Sequence, residues 1–349
     1  MRITVSIAAL ASLIALAAFG PASADASVGA NLRVVSPTGQ LDDLTQYSDT
    51  TTMPTSPQAE CFGAGSGGSG QGVTVDGANA LGVVVEAAKS RNQLNPLLLT
   101  DTFVSQGFGL GVCGIGGQVA SGSAFWYTKV DHTGLQVGGS QFPIHAGQQV
   151  LWYLTPNFPP PAELVLNAPV REPVGTPFPV QVLSYADDGT ATPAAGAVIS
   201  GSGAPVTTDA SGNALVGVDG TGLRQIQATL GGQIPSALTT ICSFDSTTAC
   251  AVERGRLIVG SDGVDDIAGT LGPDQIKARA GDDGIRALAG SDIVDVRGGG
   301  VDRVNCGGGV DLVKGDKRDK FAKNCERRIR NGKKQKRGKH KHKGKGKKK

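Results

Sequence analysis

Aromatic residues make up only 5% of this 349-residue chain, and it holds just four histidines. Two of these, His340 and His342, lie inside a terminal lysine run, which leaves His132 and His145 as the imidazoles available to a catalytic base or metal centre. His132 sits in the polar turn Asp131-His132-Thr133-Gly134 and His145 just before a Gly turn, so both are expected at the surface. The chain also lacks G-x-S-x-G and H-E-x-x-H, and no nucleophile stands beside a companion base, so catalysis is not expected. There is no C-x-x-C, which argues against a thiolate metal site. After the first 24 residues no apolar run is long enough to span a bilayer.

What the chain does have begins with an export signature. Arg2 is followed by an apolar run from Ile7 to Phe19 and by the small-residue cleavage pattern Pro21-Ala22-Ser23-Ala24, which predicts a signal peptide over residues 1–24 and a secreted or cell-surface protein. Export places six cysteines in an oxidising compartment. Neighbouring cysteines share compositional segments, so the expected pairs are Cys61 with Cys113, Cys242 with Cys250, and Cys306 with Cys325. Charge is lopsided: eleven of the Lys and Arg residues fall between Lys333 and Lys349, so a basic tail follows an acidic body. The tail, residues 331–349, has no apolar side chain with which to fold. Charge alone suits it to anionic surface polymers. Specific nucleic-acid recognition would also need stacking aromatics, which the tail lacks.

The most specific stretch is Gly260 to Lys314, where six rows repeat on a nine-residue beat with one insertion, Val296. Each row carries Gly-x-Asp-x-aliphatic. The glycines are Gly263, Gly272, Gly281, Gly290, Gly300 and Gly309; the acids are Asp265, Asp274, Asp283, Asp292, Asp302 and Asp311. Ile267, Ile276, Ile285, Val294, Val304 and Val313 follow two residues after each Asp. These rows resemble the hemolysin-type (RTX) nonapeptide G-G-x-G-x-D-x-U-x. The resemblance implies a parallel β-roll whose aliphatic column fills the inside, with Asp carboxylates and turn carbonyls forming oxygen cages for Ca²⁺. Alternate rows are then expected on opposite sides, with Asp265, Asp283 and Asp302 on one and Asp274, Asp292 and Asp311 on the other. At the second nonapeptide position glycine survives only as Gly298 and Gly307; Ser261, Thr270, Arg279 and Leu288 stand in the earlier rows. The fullest coordination is therefore expected around Asp302 and Asp311. Beyond the rows, 315–321 reads as a decayed row, and a Cys306 to Cys325 clip would close the stack.

Upstream, residues 31–156 read as an α+β module. A short strand is expected over 72–75, a helix over 78–90 with Leu81, Val84, Val85 and Ala88 at helical spacing, and strands at 125–130 and 145–154. The strand-helix pair, the W-x-x-x-V strand from Trp126 and the G-x-x-V-x-W strand ending at Trp152 resemble the DUF4430 family. That family is a β-grasp module similar to the C-terminal domain of transcobalamin and intrinsic factor. The resemblance implies a soluble-ligand surface that includes Trp126, Tyr127 and Trp152. The helical barrel that completes the cobalamin site in the vitamin carriers has no counterpart in this chain. Core packing is the alternative role of the same aromatics.

Pro159, Pro160 and Pro161 mark a stiff linker over residues 157–162. From 163 to 244, short strands recur every eight to twelve residues between Gly-, Asp- and Pro-rich turns, which predicts a seven-strand sandwich. The phrase from Val206 to Val216 resembles bacterial Ig-like domains, whose role is to space other modules. The expected whole is mainly β and multidomain: a β-grasp-like module, an Ig-like β-sandwich, a parallel β-roll with its cap over residues 257–325, and the basic tail. The leading functional expectation is a non-enzymatic, exported calcium-binding protein. The competing expectations are a small-molecule (cobalamin-like) carrier and a purely structural or adhesive wall protein.

Overall fold

The computed structural model describes residues 27–245 and 256–330; the leader, Cys250 and the basic tail lie outside the described residues. Within them the protein is mainly β. Twenty-eight strands fall into several sheets, with a single α-helix, Ala80–Ser90. No helix among the described residues is long and apolar enough to cross a membrane.

The N-terminal part is built on the hairpin Val28–Ser36 and Gly39–Ser48. The stretch Gln149–Thr155 runs parallel to the first of these strands, and Phe125–Val130 lies antiparallel beyond it. The helix starts at Asn79, whose side chain accepts the Gly82 N–H at 2.7 Å and so satisfies a donor that the first turn would leave free. Leu81, Val84 and Val85 face the sheet and pack with Leu32, Val34, Leu44, Trp126 and Trp152 in one core. Cys61 and Cys113 are bonded across this part.

Residues 163–245 form two facing sheets. Phe178–Tyr185 pairs with Glu163–Asn167, Ala191–Pro193 and Asn213–Val216 in one of them. The other runs Arg171–Pro173, Thr239–Phe244, Gly222–Thr229, Val198–Ser200, Val206–Thr207. Leu164, Phe178, Val182, Ile199, Val216, Ile226 and Ile241 fill the space between.

The repeat segment makes two parallel sheets that share one interior. Arg256–Val259, Asp274–Lys277, Ile293–Asp295, Leu312–Gly315 and Arg327–Arg330 stack in one; Asp266–Ala268, Gly284–Arg286, Arg303–Asn305 and Lys320–Phe321 stack in the other. Register brings Ile258, Ile276, Val294 and Val313 into one column and Ile267, Ile285, Val304 and Phe321 into its partner. Every Ile and Val in these columns is at most 3% exposed. Burying each such side chain stabilises the stack by about 1.5–3 kcal/mol before chain entropy is counted. The Cys306–Cys325 disulfide closes the far end.

The hairpin ties the first and last parts together. Thr45 and Gln46 pair parallel with Ile258 and Val259, so the N-terminal sheet and one face of the repeat stack form a single ten-stranded sheet. Gln46 Nε2 reaches the Val259 and Gly260 carbonyls at 3.4 and 3.3 Å. Arg256 bonds Thr45, Asp43 and Asn31, and Arg279 bonds the fully buried Glu86 of the helix. The residues 163–245 therefore leave this sheet and return to it. They also pack against its other face: Arg33 pairs with Glu163 at 2.9 Å, Tyr127 donates to Asp187 at 2.9 Å, and Val35, Leu151, Tyr153 and Ile234 form an apolar patch. Lys129, on the same face as Tyr127, is fully buried there. His132, expected at the surface, is half-buried because Tyr185 stacks on its ring and Glu163 lies 3.0 Å from Nδ1. His145 is exposed.

Candidate cation-binding edges of the repeat stack

Each repeat row turns at Gly-x-Asp, and the turns of alternate rows align along the two long edges of the stack. One edge carries Asp265, Asp283, Asp302 and Asp319 in succession. The Asp265 N–H donates to Asp283 Oδ1 at 3.0 Å, Asp283 to Asp302 at 2.9 Å, and Asp302 to Asp319 at 3.3 Å. The other carries Asp274, Asp292, Asp311 and Glu326, linked in the same way at 2.8, 2.8 and 3.0 Å. Every carboxylate after the first on each edge thus caps the backbone of the rung before it. All six repeat aspartates are at most 1% exposed.

This close stacking requires glycine. A Cβ at Gly300 or Gly309 would lie 1.7 or 1.6 Å from the carbonyl oxygen of Gly281 or Gly290. At Gly281 and Gly290 it would meet the carbonyls of Gly263 and Gly272. These four glycines also hold positive φ, which a side chain disfavours. Backbone oxygens therefore run along each edge next to the carboxylates.

The carboxylates differ in how well they are satisfied. Asp265 accepts from the Ser261 N–H and hydroxyl at 2.7 and 2.9 Å and also from Ser27. Asp274 accepts from the Thr270 N–H and hydroxyl at 2.6 and 3.0 Å. In contrast, Oδ2 of Asp283, Asp292, Asp302 and Asp311 is buried without a hydrogen-bond partner. A buried polar atom left unpaired costs about 1–3 kcal/mol, and more when charged. Burial, opposed by the accepted backbone hydrogen bond and aided by repulsion from the neighbouring rungs, pushes Asp283 up to about 8 and Asp292 up to about 7. Burial raises Asp302 to about 6, aided by repulsion from Asp319. Asp265 also rises to about 6 through burial, opposed by its serine bonds, and Asp274 and Asp311 are raised in the same direction.

Four orphaned carboxylate oxygens beside rows of carbonyls fit a hard divalent cation such as Ca²⁺, which takes oxygen ligands. No three His, Cys, Asp or Glu side chains converge on one point among the described residues, so such a site would draw mostly on backbone oxygen. Asp319 falls within the decayed row read after the last full repeat, whereas Glu326 is a rung that the repeat pattern does not reveal. The spacing from Asp302 to Asp319 is 17 residues and from Asp311 to Glu326 is 15, both off the nine-residue beat.

The aromatics singled out in the N-terminal part divide. Trp126 and Trp152 are core residues whose indole N–H groups are used on the Gln118 and Ala80 carbonyls. Tyr127 donates its hydroxyl to Asp187. All three border a cavity of about 510 Å³ that Phe62, Phe103, Phe108, Leu135 and Val137 also line. A second cleft of about 360 Å³ lies where the three parts of the chain meet; its Arg33, Glu163 and Arg256 are already engaged in ion pairs. The disulfides at Cys61–Cys113 and Cys306–Cys325 are present, and the Cys242–Cys250 pairing falls outside the described residues. No protein-family model matches the chain, and no curated protein matches it.

Proposed function

We propose that this is an exported, non-enzymatic calcium-binding protein whose repeat segment is a hemolysin-type (RTX-like) roll. In this reading the Ig-like sandwich and DUF4430-like module brace the roll, and the basic tail attaches the chain to anionic surface polymers. The observation that supports it is the set of four buried, partnerless Oδ2 atoms on Asp283, Asp292, Asp302 and Asp311. The aspartates, with the carbonyls stacked at Gly263, Gly272, Gly281 and Gly290, would hold the ion. Bound Ca²⁺ would supply the positive charge that these buried carboxylates otherwise lack. Because the ion binds the ordered stack and not the unfolded chain, it stabilises the fold by mass action.

The test is calorimetric titration of the full mature chain with Ca²⁺, paired with circular dichroism before and after chelation. Saturable binding in the millimolar range or tighter, with a change in β signal, is expected; no heat and identical spectra would overturn the reading.

A second reading, carriage of an apolar small molecule, is favoured by the cavity bordered by Trp126, Tyr127 and Trp152. Tryptophan fluorescence titrated with apolar ligands checks it, and flat titrations count against it.

A further inference from the structure

Resting on the calcium reading, we infer that the rows do not share cation binding equally. Asp265 and Asp274 belong to metal-free rungs closed by Ser261 and Thr270, while Asp283, Asp292, Asp302 and Asp311 take the ion. The stack then has a cation-independent half built onto the N-terminal hairpin and a cation-dependent half beyond it.

The argument starts from one position in the turn. In rows one and two the residue four before the Asp is Ser261 or Thr270, and its N–H and hydroxyl together occupy both oxygens of the Asp. A cation there would have to displace a pair of intact hydrogen bonds. In rows three and four the same position holds Arg279 and Leu288, which carry no hydroxyl and adopt φ of 72° and 71°. Gly307 in row six adopts 84°. Arg279 and Leu288 therefore take the left-handed backbone that glycine would take more readily. Arg279 directs its guanidinium to Glu86 and Asp262, not to Asp283. Gly298 in row five stays outside the left-handed region, so what rows three to six share is the missing hydroxyl; on that ground rows three and four group with rows five and six, in place of the sequence expectation that the fullest coordination lies around Asp302 and Asp311.

Two further observations separate the halves. A site on either edge lies between two successive turns, and Gly281, Gly290, Gly300 and Gly309 each face the carbonyl of an earlier turn. Gly263 faces Asp49 of the N-terminal part instead, and Gly272 has only Thr270 Oγ1 within 4 Å. The first coil is also held without any ion. Thr45 and Gln46 pair with Ile258 and Val259, the one Ser261 hydroxyl proton is shared between Asp265 and Asp49 at 2.9 and 2.8 Å, and the Ala268 N–H donates to Tyr47 at 3.1 Å.

The experiment uses the full mature chain with Ca²⁺ as titrant and Tb³⁺ luminescence as a second readout. Asp265→Asn with Asp274→Asn is expected to leave the bound-ion count unchanged, whereas Asp283→Asn with Asp292→Asn lowers it to about half. Hydrogen exchange gives an independent measure on wild type: adding Ca²⁺ should slow exchange at 284–286, 293–295, 303–305 and 312–315 and leave 256–259, 266–268 and 274–277 unchanged. Equal loss of ions from both Asn pairs, or protection spread uniformly over all rows, would overturn the inference while leaving calcium binding intact. No binding by wild type would instead remove the underlying reading.

Discussion

Removing calcium should make the repeat stack acid-stable and alkali-labile, the reverse of the usual behaviour of paired carboxylates. Asp283 is pushed up to about 8, Asp292 to about 7 and Asp302 and Asp265 to about 6, against the ordinary carboxylate value of 3.8. A carboxyl whose folded value exceeds its unfolded value binds a proton more tightly in the folded state. Its contribution is complete below about pH 4 and is lost as pH rises through the folded value. Most of that loss should fall between pH 5 and 8, as protons leave the two edges as coupled rows. A tenfold gain in proton affinity on folding is worth about 1.4 kcal/mol, so even a partial loss is several kcal/mol. Taking about 3 kcal/mol, a folding unit of this size would lose about 12–24 °C in Tm. The assay is differential scanning calorimetry with chelator at half-unit steps from pH 5 to 8, repeated in millimolar Ca²⁺. The chelated protein should melt lower as pH rises, and calcium should flatten the profile. A chelated Tm that rises with pH, or identical profiles with and without calcium, would refute the reasoning.

Reduction, or Cys306→Ser with Cys325→Ser, opens a loop with a sequence separation of 19 and should cost the terminal rows about 3 kcal/mol in denaturant melts. Ile276→Ala, in the buried column, should cost about 2–5 kcal/mol by the same measurement because the stacked neighbours cannot close the gap. Leu288→Gly releases a strained left-handed residue that is half solvent-exposed, so it should be neutral or stabilising by up to about 1 kcal/mol, with thermal melts as the check. Arg279→Ala removes one partner of the buried Glu86 and should cost about 3 kcal/mol, seen as faster hydrogen exchange in Arg256–Val259 and the facing helix.

Features set by local pattern were readable in the sequence. The aliphatic beat gives the inner column, the repeated Asp gives the edges, and apolar spacing gives the helix, observed from Ala80 where 78 was expected. The strands from 178 to 185 and 125 to 130 also follow from alternation. Features set by distant partners were not readable. Val28–Ser36 and Gly39–Ser48 precede or overlap a segment whose polar composition hides a hairpin, and nothing in Thr45 or Gln46 announces a partner 213 residues away. Lys129 and His132 look like surface residues until the sandwich packs over them. At the site, the six aspartates were visible, but their unequal satisfaction depends on hydroxyl geometry at Ser261 and Thr270 and on backbone sign at Arg279 and Leu288.

The alternation of rows between two sheets also limits how such a chain can change length. The terminal segments Lys320–Phe321 and Arg327–Arg330 each close a different sheet, and Asp319 and Glu326 each end a different edge. Inserting one row would exchange those assignments and deliver each closing segment to the wrong face. Inserting two adds one strand to each sheet, about 4.8 Å of height, and leaves both ends matched. Gene duplication can therefore lengthen this stack only in even steps, with the row pair as its inherited unit.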